Sequence, residues 1–153
     1  MPACDVVRDG LADYFRKIQA RIHELTDPLS TEQLWTRPYQ YGNSIGNLVL
    51  HLTGNLSYYI GAQMGGTGYV RNRPVEFTDS GKDKTELLAA FDRAIETVIA
   101  TIEKQTDADW ATPYAAIGTE NKNRFTMVLN CLSHADHHVG QIIYLQRELL
   151  REH

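Results

Sequence analysis

Apolar residues return every three to four positions in four stretches of this chain, which is the rhythm of an amphipathic α-helix. The first stretch runs from about Asp5 to Leu25, with the stripe Leu11, Phe15, Ile18, Ile22 and Leu25. Gly10 weakens its first turns, and Asp27 with Pro28 stops it. The second runs from about Ser44 to Met64, with Ile45, Leu48, Val49, Leu52, Leu56, Tyr59 and Ile60. Asn43 or Ser44 is its expected N-cap, and Gly65 and Gly66 end it. The third spans about Lys84 to Lys104 (Leu87, Leu88, Phe91, Ile95, Val98, Ile102). The fourth spans about Arg124 to Leu150 (Val128, Cys131, Leu132, Ala135, His138, Val139, Ile142, Leu149). Four long amphipathic helices predict an all-α chain, a helix bundle forming a single domain over residues 1–153.

The connections are long, roughly 18 residues each where bundle loops usually run about 2 to 8. Two of them hold expected helical turns, Ser30–Leu34 and Thr106–Trp110. The run from Thr67 to Phe77 is the only one with an extended character, interrupted by Gly68 and Pro74. Length of this kind permits a crossover topology and gives material to cover one end of a bundle. Trp35, Tyr39, Tyr41, Tyr69, Phe77, Trp110 and Tyr114 concentrate there, where they either wall a pocket or plug the bundle end.

Composition narrows the function. The net charge of -4 and the lack of any Lys/Arg-rich stretch leave no footprint for nucleic acid. No run approaches the ~18 apolar residues of a membrane span. Cys4 and Cys131 make no disulfide framework, and Met1 to Asp5 do not read as a signal peptide, so a cytoplasmic protein is expected.

Three of the six histidines fall between His134 and His138. Residues i and i+4 of a helix lie on one face, so His134 and His138 can reach a common point. With Ala135 as the centre of the apolar face, about 100° per residue puts His138 roughly 60° away and His134 roughly 100° away on the same side, but His137 roughly 160° away. His137 is therefore expected in solvent. His51 lies on a flank of the second helix's stripe, where facing helices close polar pockets. Neighbouring imidazoles are costly to bury without a metal or hydrogen-bond partner, and no Asp or Glu lies on that stripe. Other polar residues fall at helical distances from these: Asn47 and Asn55 at i−4 and i+4 of His51, Gln141 at i+3 of His138, Tyr58 at i+7 of His51. Each either orients a ligand or is an ordinary flanking residue. Cys131, at i−3 of His134, reads best as a small buried hydrophobe.

These residues carry a resemblance. The run Asn43, Ser44, Ile45, Gly46, Asn47, Leu48, Val49, Leu50, His51, Leu52, Thr53, Gly54, Asn55 resembles the second-helix motif of the DinB/YfiT-like superfamily. Arg71 to Phe77 resembles the crossover segment of an uncharacterised DinB-like branch, and His134 to Gln141 its fourth-helix signature. Val139 departs from the pattern, because many members have a basic residue there. The resemblance implies a four-helix bundle of up-down-down-up topology. It also implies a divalent metal held by His51, His134 and His138.

Three neutral imidazoles suit Zn, Ni, Fe, Co or Mn, and they leave a coordination position for water or substrate. Relatives in the superfamily that this chain resembles use low-molecular-weight thiols, which makes a metal-dependent thiol S-transferase acting on a small-molecule substrate the leading expectation. Arg71 and Arg73 would hold the thiol cofactor's carboxylates, or else are solvated loop charges. A metal-dependent hydrolase is the alternative, although no carboxylate presents itself as general base. A non-catalytic, stress-related metal-binding protein is the third reading. A homodimer stays open, with no residue to mark it.

Overall fold

The computed structural model describes residues 2–116 and 123–151, and all regular structure among the described residues is helical. The elements are α1 (Ala3–Thr26), α2 (Thr31–Trp35), α3 (Ile45–Leu56), α4 (Arg73–Thr78), α5 (Lys84–Glu103), α6 (Asp107–Ala111) and α7 (Arg124–Leu149). A π-helical turn, Ser57–Ala62, continues α3. The four expected long helices are therefore α1, α3 with its continuation, α5 and α7. No helix among the described residues is long and apolar enough to cross a membrane.

Local chemistry explains where the helices start. Of the two candidate caps for α3 it is the buried Ser44, whose hydroxyl accepts from the Asn47 amide at 3.1 Å. Asp83 caps α5 and Asn123 caps α7 in the same way. The two expected helical turns are α2 and α6. Both open with reciprocal capping boxes, Ser30 with Gln33 and Thr106 with Asp109.

The stripes meet in the interior. Leu11, Phe15, Ile18, Ile22 and Leu25 of α1 are all buried, and so are Leu87, Phe91, Ile95, Val98 and Ile102 of α5. α1 packs against α5 and α7, and α3 packs against the same two helices. Lys84 at the start of α5 donates to the carbonyls of Thr26, Asp27 and Leu29 (3.3, 3.1 and 2.7 Å), satisfying orphan acceptors where α1 ends. Trp35 lies flat on Gly46, where an added Cβ would stand 2.6 Å from the indole ring. Its Nε1 donates to the Lys82 carbonyl at 2.8 Å, which ties α2, α3 and the segment before α5 together.

The segment from Thr67 to Phe77 corrects the sequence expectation. It forms no strand: residues 67–72 are irregular, and Arg73–Thr78 is the helix α4. Pro74 sits in the first turn, where a missing N–H is no loss, so the residue that breaks a strand here starts a helix. The loop aromatics divide. Trp110 and Tyr114 are buried, and the Tyr114 hydroxyl donates to the Tyr59 carbonyl in the π-helical turn at 2.9 Å. Tyr39, Tyr41 and Tyr69 are exposed.

Candidate metal centre

His51 is presented by α3 and is buried; His134 and His138 are presented by α7, one turn apart, and are half-buried. One ring nitrogen from each lies within 4.8 Å of the others, and among the described residues this is the group able to hold a metal ion. His137, in the same tract, is exposed as its phase predicts.

The ring orientations are set by what the outer nitrogens touch. His51 Nδ1 donates to Glu76 Oε1 at 2.9 Å, and His138 Nδ1 donates to Gln141 Oε1 at 2.7 Å. Those bonds leave the Nε2 lone pairs of both rings for the space between the helices. His51 Nε2 faces His134 Nε2 at 3.0 Å. Two basic nitrogens at that distance need a proton or a cation between them. His134 Nδ1 is buried with no hydrogen-bond partner among the described residues, so no protein acceptor fixes a proton there. A tetrahedral metal with Zn–N bonds of about 2.0–2.1 Å would set its ligand nitrogens about 3.3 Å apart. The His51–His134 pair stands near that separation, and the His138 ligand nitrogen lies within 4.8 Å of both, so the three rings can converge on one ion.

Electrostatics favours neutral rings at His134 and His138. Burial pushes the His134 pKa down to about 4, with His138, His51, His137 and Arg71 pushing the same way. Burial lowers His138 too, against the opposing hydrogen bond it gives to Gln141, while His51 and His137 add to the lowering. Neutral imidazole is the form that ligates metals.

The sequence reading missed Glu76. No Asp or Glu lies on the histidine stripe of the fourth helix, yet Glu76 on α4 is buried against His51. Arg71 clasps it with two bonds of 2.8 Å, Nε to Oε2 and Nη2 to Oε1. Burial alone would raise the Glu76 carboxyl, but hydrogen bonds from Arg71 and His51 and the charge of the Arg71 guanidinium outweigh it and hold it below the usual range. One signal was available. Gly54, at i+3 of His51, is where Glu76 enters: a Cβ there would stand 2.7 Å from Glu76 Cδ and closer still to Oε2.

The remaining candidates separate by position. Arg71 is tucked in with its side chain 10% exposed and packs over the Tyr59 ring at 5.7 Å, so it is no solvated loop charge. Its Nε–Nη2 edge faces Glu76, which leaves Nη1 outside that pair. Arg73 is exposed, over the Phe77 ring at 5.3 Å. Asn47 anchors α4, with Nδ2 donating to the carbonyls of Glu76 and Asp79 at 3.1 and 2.9 Å. Asn55 is buried and its Oδ1 has no partner among the described residues. Tyr58 is half-buried and packs edge-on against Tyr59. Cys131 is buried, which pushes its thiol up to about 12 and keeps it protonated, in line with a small buried hydrophobe.

Solved structures share this architecture. A conserved protein from Enterococcus faecalis superposes with a TM-score of 0.77 at 14% identity, covering 98% of each chain. A DinB-like protein, YjoA, from Bacillus subtilis gives a TM-score of 0.70 at 18% identity, over 94% of this chain and 93% of that one. Identities this low speak for the fold alone. No curated protein matches the sequence. A family pattern described as "Protein of unknown function (DUF1572)" matches residues 6–153. With that match over nearly its whole length, the chain belongs to the DUF1572 family, and its fold is that of DinB-like proteins.

Proposed function

We propose that the protein holds a divalent transition metal on His51, His134 and His138 and there transfers a low-molecular-weight thiol onto an electrophilic small molecule. The observation that carries the metal site is the meeting of His51 Nε2 and His134 Nε2 at 3.0 Å, with the outer nitrogens of His51 and His138 anchored by Glu76 and Gln141. Zn, Ni, Fe, Co and Mn all suit three imidazoles. A bound divalent metal would supply the positive charge that favours a thiolate over a thiol at neutral pH.

The chain's own groups divide the rest of the work. Glu76 fixes the His51 tautomer and ring plane. The Nη1 end of Arg71 is suited to a carboxylate of the thiol, and Arg73 offers a second charge nearer solvent. The thiol proton passes to solvent, the sulfur lone pair forms the new bond to carbon, and the leaving group departs with the electrons of the bond that breaks. Glu76 does not favour hydrolysis: both its oxygens are engaged and its pKa is depressed, so it is a poor general base.

The frame for this site is a four-helix bundle of up-down-down-up topology. Supporting that order, Arg8 early in α1 reaches the carbonyl of Glu103 at the end of α5, while His23 late in α1 reaches Asp92. Gly61 and Gly65 after α3 meet Thr97 and Thr101 in the same direction along α5.

Metal analysis of the purified protein beside a His51→Ala variant tests the site. The wild-type chain should carry about one equivalent and the variant far less; equal metal in both refutes three-histidine ligation. Turnover of metal-loaded protein with small thiols and an activated aryl halide tests the chemistry. Its absence alongside bound metal would favour a non-catalytic metal-binding role.

A further inference from the structure

Beside the metal centre, a cleft of about 400 Å³ opens between the loop before α3 and the outer face of α7. Tyr39, Tyr41, Leu48, Gln141, Tyr144 and Leu145 line it. Its volume falls in the range of small-molecule sites, about 300–1,000 Å³. Leu48 lies one turn before His51 on α3, and Gln141 lies one turn after His138 on α7. The cleft therefore flanks the histidines on the side away from Asn55 and Cys131.

Three properties of the lining select its ligand. Among the described residues that line it, none carries a charge at neutral pH. Tyr39 and Tyr41 stack at 5.5 Å with their planes 9° apart, presenting parallel ring faces. Tyr41 and Tyr144 are 79% and 72% exposed, which leaves most of each ring open to a ligand. Flat apolar faces with an amide and hydroxyls at the margin suit a planar ring with a neutral polar substituent. They offer no cation to a carboxylate or phosphate. One lining residue, Gln141, also holds His138 Nδ1, so an occupant of the cleft lies next to a residue that orients a candidate ligand.

We infer that this cleft binds a neutral aromatic small molecule, with Gln141 linking its occupancy to His138. Identification of that molecule as the electrophilic substrate rests on the function proposed above; the binding itself does not. The arrangement divides the site chemically, with the Arg71 side suited to the anionic partner and the tyrosine side to the neutral one.

Titration with 1-naphthol, read by calorimetry and by the Gln141 side-chain amide signals in ¹⁵N spectra, tests it on both metal-free and metal-loaded protein. Binding should be saturable, should shift the Gln141 amide, and should weaken at least tenfold in Tyr144→Ala and in Tyr41→Ala. Tyr14→Ala, an exposed tyrosine on α1, should bind as wild type does. Naphthalene-1-sulfonate, the same rings with a fixed negative charge, should bind at least tenfold more weakly than 1-naphthol. No saturable binding, or binding indifferent to both cleft substitutions, or equal affinity for the sulfonate, overturns the inference. Because metal content is measured separately, loss of metal in His51→Ala together with no naphthol binding would refute the cleft and leave the metal site standing. Naphthol binding with equal metal in His51→Ala would do the reverse.

Discussion

Replacing Gly54 by Ala sets a general rule against a particular contact. Gly54 lies inside α3, where Gly→Ala ordinarily stabilises a helix by about 1 kcal/mol. Here the new methyl would sit 2.7 Å from Glu76 Cδ, whereas carbon atoms rest at about 3.5–4.0 Å. The carboxylate must withdraw by about 1 Å, and its bonds to Arg71 and His51, now 2.8 to 2.9 Å, would then lie beyond hydrogen-bonding distance. The side chains of Glu76 and His51 are each only 7% exposed, so water replaces little of what is lost. Breaking a buried ion pair from one side costs about 3–5 kcal/mol, and subtracting the helix gain leaves a net destabilisation of about 2–4 kcal/mol. Urea unfolding of the metal-free protein, followed by circular dichroism, should show the midpoint falling by about 1–2 M at an m-value near 2 kcal/mol/M. In a Glu76→Ala background the clash is gone, and the same Gly54→Ala change should then be neutral or stabilising by up to about 1 kcal/mol. A midpoint for Gly54→Ala that is unchanged or raised in the wild-type background would refute the packing of Glu76 into the Gly54 notch.

Acidification should destabilise the metal-free fold. The pKa values of His134 and His138 are depressed, so below the ordinary histidine value near 6.5 the unfolded chain takes up protons that the folded chain refuses, and stability is lost as pH falls towards 4. A urea midpoint no lower at pH 5 than at pH 7.5 would contradict this, and His134→Gln should flatten the slope across that window. Ser44→Ala removes a buried N-cap hydroxyl that also bonds Asn47 Oδ1 at 2.7 Å, so it should cost about 1–2 kcal/mol in the same assay; a loss below about 0.3 kcal/mol would mean the cap is dispensable.

The long helices were legible because each carries a stripe several turns long, and the stripes turned out to be the buried faces. The same periodicity separated His134 and His138 from His137, because a helix of known phase fixes which way each residue points. Glu76 was illegible for the converse reason. It stands on a six-residue helix, too short for any apolar period, in a segment whose aromatic and β-branched residues suggest a strand. Nothing in the local sequence distinguishes its carboxylate from a solvated one; it is buried because Asn47, 29 residues earlier, holds the backbone of α4 against α3. Gly54 did mark the place, but a glycine in a helix has several meanings until its neighbour across the gap is known.

The Arg71–Glu76 pair also bears on why α4 exists. A buried ion pair seldom improves stability over well-packed apolar residues of similar size, because desolvation offsets most of the attraction. Stability alone therefore gives little reason to place these charges against α3. Their effect falls on His51: Glu76 accepts the hydrogen bond from Nδ1–H and so turns the Nε2 lone pair towards α7, and Arg71 holds Glu76 ionised for that task. On the His51 side, α3 and α4 bury both His51 and Glu76. His138 is half-buried and steadied by the exposed Gln141. That asymmetry leaves His134 and His138 as the more open edge of the three imidazoles, while the buried carboxylate stands behind His51 and orients it.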